Sequence, residues 1–343
     1  MNDSSDDPAR MSATPTGSEA DKLRARLAGG LVAAVPVPFG EGGRLHAGAQ
    51  EAYLRYMAGQ PVAGVAVWAH TGRGLLLDEA TAGRVLRDWR GALPQGVLIA
   101  GVGCREAAGP DEATARTVAM AERAARLGAD AVLVYAPTWL RGQRRREDLI
   151  VEHHRRVAAA GLPLVVFYLY EEAGGISYPP AVLDELLSMP EVVGVKMATL
   201  DSVMTYQDVS RQVSARHPDK LLITGEDRFL GYSLRRGAGA ALVGMGAVCC
   251  ELQAALLRAH SGGEAERFLR LSDEVDMLAE SLFVRPVEGY IRRVLWALVH
   301  LGVIPPEAAH DPWGPELARR EFDEVGRVLA ALAAVGAAGP VGR

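Results

Sequence analysis

The feature that most constrains the fold is an alternation. From about residue 30 onward, short apolar runs take turns with longer amphipathic ones. The runs "LVAAVPVPF" (31–39), "VAGVAVWA" (62–69), "VLIAGVG" (97–103) and "AVLVYAP" (131–137) read as strands. So do "LPLVVFYLY" (162–170), "VVGVKMAT" (192–199), "KLLITGED" (220–227) and "AALVGMGAV" (240–248). Each run is nearly continuous in its apolar character, as expected when helices cover the outer face of a parallel sheet. Between them, "DEATARTVAMAERAARLGAD" sets Ala115, Val118, Ala121 and Ala125 on one helical face and stops at Gly128, a residue suited to a helix C-terminus. "LDEATAGRVLRDWRGAL" behaves similarly, and "PPAVLDELLSMP" opens with proline at the helix start. Eight strand–helix units in succession specify a (β/α)₈ TIM barrel of the α/β class. A doubly wound open sheet would want a glycine-rich phosphate turn after its first strand, and "VPVPFGEGG" does not supply one.

After the eighth run the pattern changes to helices without strands. "CELQAALLRAHSGG" closes the barrel, and three further helical stretches form a C-terminal extension over 264–336. The barrel then occupies 26–263. A polar, acidic leader over 1–25 is expected to be disordered, and 337–343 to form a loose tail.

Composition narrows the function. A net charge of −5 gives no electrostatic reason for a nucleic acid or an anionic membrane as partner. The one basic run, "RGQRRRED" (141–148), is followed at once by acids and reads as a solvated helix start. Three cysteines, Cys104, Cys249 and Cys250, suit neither a disulfide framework nor metal-ligand spacing. No signal peptide is recognisable, and no apolar run approaches the roughly 20 residues that cross a bilayer. The expectation is a cytoplasmic protein without a metal site.

Within the sixth run, "EVVGVKMATL", sits Lys196, a charge that costs several kcal/mol to bury unless it is paired or shed. Reactive groups of a barrel stand at the C-terminal ends of its strands, and Lys196 is near such an end. Tyr168 and Tyr170 end run five, His70 and Thr71 follow run two, Trp139 follows run four, and Glu226 and Asp227 follow run seven. An amine held in an apolar barrel loses its proton more easily and can then attack a carbonyl to form a Schiff base. The alternative is an ammonium paired with a neighbouring carboxylate.

From about 30 to 310 the chain resembles the dihydrodipicolinate synthase / N-acetylneuraminate lyase family of class I aldolases and lyases. "AAVPVPF" loosely matches an early "A-x-x-T-P-F" strand, and "AHTGR" stands where the family has "G-T-T-G-E". "GADAVLVYAPTW" matches the segment that ends in "P-Y-Y", and "TGED" meets a "G-x-D" turn. Tyr168 precedes Lys196 of "GVKMATLD" by the family's spacing of twenty-eight, and "PVEGYIRRVLWALVHLG" is similar to its final helices. The resemblance implies a cofactor-independent enzyme in which Lys196 forms an imine with pyruvate or another 2-oxo acid. Tyr168 would relay protons. Thr71, Gly72 and nearby amides would hold the carboxylate, with Gly225 and Val243 lining the pocket. It also implies a homo-oligomer, a dimer or tetramer, that brings the strand-four aromatic, here Trp139, near a neighbour's site.

The departures from the family pattern bear on the substrate. His70 replaces the first threonine of the strand-two loop and is a candidate acid/base, since imidazole titrates near neutrality. Arg73 replaces the glutamate and is expected to point into solvent rather than bind a second carboxylate. Thr138–Trp139 replace the aromatic pair, so the relay tyrosine of that position is lost, although Trp139 can still donate a hydrogen bond to substrate. Ala173 stands where the synthase has a substrate-binding arginine, and Glu171 and Glu172 would repel a diacid if they face the pocket. These changes predict a Schiff-base lyase or aldolase on a 2-oxo acid, with an aldehyde as second partner, that is not a true dihydrodipicolinate synthase. The alternatives are a sugar-acid dehydratase on the same scaffold, or an inactive relative that binds a 2-oxo acid or a protein.

Overall fold

The computed structural model describes residues 17–140 and 146–338. Eight parallel strands, β1 (Leu31–Ala34), β2 (Gly64–Val67), β3 (Val97–Val102), β4 (Ala131–Val134), β5 (Leu164–Leu169), β6 (Val192–Ala198), β7 (Leu221–Thr224) and β8 (Ala240–Val243), pair in sequence order. The barrel closes where β1 meets β8, with Ala33 opposite Val243. Every strand anticipated from the apolar runs is present, each shorter than its run. The surplus residues, such as Val35–Phe39 after β1, extend the buried chain into the loops that build the C-terminal mouth.

Two apolar layers follow from the strand alternation. Val32, Ile99, Leu133, Phe167, Ile223 and Leu242 point inward and fill the barrel. Ala33, Leu98, Val132, Val166, Met197 and Val243 point outward into the ring of helices. Val243 therefore belongs to the helix layer. The expectation that it lines the pocket is corrected, because its odd position on β8 turns it away from the barrel axis.

The leader is also corrected in part. Residues before 17 lie outside the described residues, but Glu19–Leu27 is a helix, capped at Ser18 through its reciprocal bonds with Asp21. Ala20, Leu23 and Leu27 recur at helical spacing and join the barrel's inner apolar cluster. The guanidinium of Arg24 reaches the carbonyl of Val192 at the start of β6, and Arg26 pairs with Asp130 just before β4. This helix thus plugs the N-terminal end of the barrel, away from the mouth.

The helix Pro110–Arg126 buries Ala113, Thr114, Thr117, Ala121 and Ala124, so its inner face is rotated from the one expected. Ala115 is exposed there, and only Ala121 is common to both faces. The chain leaves this helix at Gly128, whose φ of +93° is the left-handed conformation that glycine adopts without cost. Of the basic run over 141–148, residues 141–145 lie outside the described residues, and the helix Arg146–Ala158 follows.

The helix Cys250–Ser261 completes the eighth strand–helix unit, and the helices Ala265–Leu282, Tyr290–His300 and Arg319–Ala338 follow. The segment between the first two of these last three is anchored by the fully buried Arg293, which donates to the carbonyls of Leu282 and Val284 and pairs with Glu321. That anchoring brings Glu288 and Tyr290 over the mouth. Residues 339–343 of the expected tail lie outside the described residues. Among the described residues, no helix is long and apolar enough to cross a membrane.

Candidate active site

Lys196 points into the barrel from β6 and is buried, with a relative exposure of 5%. Its Nζ lies 4.2 Å from the centroid of the Phe167 ring on β5. Burial pulls its ammonium down to about 8, against the opposing attraction of Asp227 and Glu226. No carboxylate comes within ion-pairing distance of it among the described residues, so the paired-ammonium alternative has no salt bridge behind it. Gly225 makes room for the side chain. A Cβ there would stand 2.6 Å from Lys196 Cε and 2.7 Å from the Met197 carbonyl.

Two acids follow Gly225, both buried and differently used. Glu226 accepts from the Thr199 amide at 2.7 Å, the Thr199 hydroxyl at 2.8 Å and the Leu200 amide at 2.8 Å. Burial still pushes it up to about 7. Asp227 accepts from the Met245 amide at 2.7 Å and is likewise raised by burial. One carboxylate thus ties the loop after β6 to β7, and the other ties β7 to the turn after β8.

The strand-two loop forms the facing wall. His70–Gly72 is a single 3₁₀ turn with Thr71 and Gly72 buried. A Cβ on Gly72 would meet the Val35 carbonyl at 2.9 Å, which is why the loop can pass so close to β1. The hydroxyls of Thr71 and Tyr290 are hydrogen-bonded at 2.9 Å, and Gly244 packs beneath both. His70 Nε2 lies 2.9 Å from Glu288 Oε1. Glu288 also accepts from Tyr170 at 3.0 Å and from Arg73 at 2.9 Å. Burial would raise the Glu288 carboxyl, but His70 and Arg73 outweigh it and hold it at about 2.

Arg73 does not point into solvent. It is buried and donates through Nε and Nη2 to both oxygens of Asp311, at 3.2 and 2.7 Å. A buried guanidinium requires such partners, and the C-terminal segment provides them. Neither Asp311 nor Glu288 was identified from sequence. The signal available was the pair of basic residues, His70 and Arg73, in one buried loop, which calls for anions nearby.

Tyr168 is corrected as well. Phe167 is the registered partner of Lys196, so those two share the inner face and Tyr168 takes the outer one. Its ring packs edge-on against Tyr178 at 5.4 Å. The twenty-eight-residue spacing lands one residue off because the β5–β6 register shifts near Leu164 and Val165. Trp139 likewise turns toward the helix layer, edge-on to His153 at 5.9 Å, while its neighbour Thr138 lines the mouth. Glu171 is exposed and accepts from Ser177.

Above the barrel lies a cleft of about 600 Å³, lined by His70, Arg73, Tyr135, Ala173 and Glu288 among others. Lys196 is not in its wall. Its Nζ stands over the Phe167 ring, which is 5.4 Å from that of Tyr135 in the cleft wall. A second cleft of about 670 Å³ opens on the other side of the Tyr170–Glu288 bond.

A closed barrel carrying an inward lysine at the end of its sixth strand defines the scaffold of a class I, Schiff-base lyase. The chain belongs to the dihydrodipicolinate synthetase family, whose profile matches residues 27–332. It is 28% identical to a 4-hydroxy-tetrahydrodipicolinate synthase of Stenotrophomonas maltophilia over 302 residues, 84% of this chain and 95% of that one. A synthase of the same name from Chelativorans sp. is 27% identical over 75% of this chain and 84% of its own. In three dimensions it is similar to dihydrodipicolinate synthase from Oceanobacillus iheyensis, with a TM-score of 0.77 at 18% identity over 92% of this chain and 99% of that one. It is also similar to N-acetylneuraminate lyase from Mycoplasma synoviae, with a TM-score of 0.70 at 18% identity over 89% and 98% of the two chains.

Proposed function

We propose that the protein is a class I lyase or aldolase that binds a 2-oxo acid, pyruvate foremost, as an imine on Lys196. The observation that carries this reading is the environment of the lysine. Burial disfavours its ammonium, a glycine clears its stem, and an aromatic face supports its head. The neutral Nζ adds to the ketone carbon, and the carbonyl oxygen leaves as water, giving a protonated imine. Loss of a proton from the neighbouring carbon then sends its electron pair into a C=C bond and neutralises the iminium nitrogen. The resulting enamine adds to an aldehyde, or is formed by the reverse cleavage.

In this reading, Thr71 and the amides around Gly72 hold the carboxylate, supported by the Tyr290 hydroxyl. His70, at the rim of the cleft, exchanges the proton. Phe167 faces Lys196 and Trp139 faces the helix layer, so neither position supplies a phenol to this relay. The cleft holds the aldehyde partner. Ala173 in the cleft wall argues against dihydrodipicolinate synthesis, because a small apolar side chain offers no bidentate cation to a second carboxylate. Assembly into a dimer or tetramer belongs to the same proposal.

The test is a survey of reactions. Pyruvate with a panel of aldehydes should be consumed, or pyruvate should be released from 4-hydroxy-2-oxo acids, while aspartate semialdehyde is a poor acceptor. Loss of water from sugar acids without C–C cleavage would move the assignment to a dehydratase. Efficient use of aspartate semialdehyde would overturn the exclusion of the synthase reaction.

A further inference from the structure

We propose that Glu288 is the positioning residue for acid–base chemistry at His70. This inference rests on the imine reading above and adds to it a carboxylate from the C-terminal segment.

Glu288 is held ionised at neutral pH, so its oxygens only accept hydrogen bonds. His70 Nε2, at 2.9 Å from Oε1 and 3.2 Å from Oε2, must therefore carry a proton. That leaves Nδ1 with the lone pair in the neutral ring, and Nδ1 is the nitrogen free to take a proton from substrate. When it does so, the imidazolium faces a carboxylate, which stabilises the charge that develops.

Glu288 is itself fixed. Tyr170 donates to Oε1 at 3.0 Å and Arg73 to Oε2 at 2.9 Å, so the carboxylate has three donors from the loops after β2 and β5. The groups facing His70 are Glu288, Tyr170, Arg73 and Tyr290, with Asp311 behind Arg73. Tyr290 stacks on the imidazole at a centroid distance of 6.3 Å and an interplanar angle of 23°. Arg73 is shared between two carboxylates, so its positive charge is offset before it reaches the imidazole. Asp227, whose charge acts on Lys196, binds the Met245 amide beside Gly244, and Gly244 packs against Tyr290.

The balanced step is the transfer from imine to enamine. A C–H proton beside the iminium carbon passes to Nδ1. The C–H pair becomes the C=C bond, and the imine π pair returns to nitrogen. Carboxylate and imidazolium keep their shared proton at Nε2.

The experiment uses pyruvate as the probe and the whole chain. Exchange of the pyruvate methyl hydrogens in D₂O reports the proton transfer, and borohydride trapping reports the imine. Glu288→Gln should leave trapping within about twofold of wild type and slow exchange by roughly tenfold or more. Arg73 keeps Asp311 in this variant, which favours folding. If the variant does not fold, His70→Gln carries the same test, with exchange lost and trapping kept. Exchange unchanged in Glu288→Gln, with trapping kept, would overturn the inference alone. No trapped adduct on the wild type would overturn the imine reading, and this inference with it.

Discussion

At the scale of single residues, Lys196 is shaped by what the positions beside it lack. Gly225 lacks a methyl group, and the 2.6 Å left to Lys196 Cε shows that the lysine occupies that volume. Gly225→Ala is therefore expected to cost about 1–3 kcal/mol in chemical denaturation, since the stem and the Met197 carbonyl must shift. Imine trapping with pyruvate should slow in parallel. Unchanged stability and trapping would mean that the lysine has another path. Lys196 was legible in the sequence because a charge in an apolar run has few explanations. The identity of its neighbour was not. In "LVVFYLY" every residue is apolar or aromatic, so nothing in the composition says which parity faces inward. A register shift between β5 and β6 then moved Tyr168 to the outer face and put Phe167 in its place. The placement of His70 and Thr71 in the strand-two loop was legible by position; their partners on the C-terminal segment were not.

At the scale of elements, the connection after β6 is tied to β7 by the carboxylate of Glu226. Leu200 adopts a φ of +55°, uncommon for a residue with a Cβ, and its amide donates to Glu226 at 2.8 Å. Thr199 donates twice to the same carboxylate. Glu226→Gln presents an amide group where two backbone N–H donors converge. It should lose about 1–3 kcal/mol of stability and raise the hydrogen-exchange rate of the Thr199 and Leu200 amides. The wild-type acid has a folded-state midpoint raised to about 7, above its ordinary value of 4.5. Its contribution to stability is therefore fully present below that ordinary value and is lost as pH rises through about 7. Glu226→Gln should remove this part of the pH dependence, read as thermal midpoints across that range. The positions of all eight strands could be read from the apolar runs, because burial on both faces leaves a strong signature. The inner face of Pro110–Arg126 could not. An alanine-rich helix offers small residues on every side, and the packed face includes Thr114 and Thr117, whose hydroxyls find partners within reach.

At the scale of the whole molecule, the C-terminal segment packs onto the candidate site. Glu288, Tyr290 and Asp311 contact the strand-two loop through His70, Thr71 and Arg73. Arg73→Ala would leave Asp311, whose side chain is 1% exposed, as an uncompensated buried carboxylate. The expected loss is about 3–5 kcal/mol, measured by denaturant unfolding. A loss under 1 kcal/mol would show that the barrel and the extension are held together without this pair. The helix Glu19–Leu27 closes the opposite end, where a charged composition concealed three apolar residues at helical spacing. The helix Glu19–Leu27 thus seals one end of the barrel, and the C-terminal segment furnishes the other.

The most direct measurement is the mass of the protein after borohydride reduction with pyruvate, mapped by peptide and compared with Lys196→Ala. The account predicts one stable adduct, located on Lys196 and absent from the variant. Its rate of formation should climb with pH through about 8, because only the neutral amine attacks. An adduct on another lysine, or none with pyruvate or any other 2-oxo acid, would contradict it.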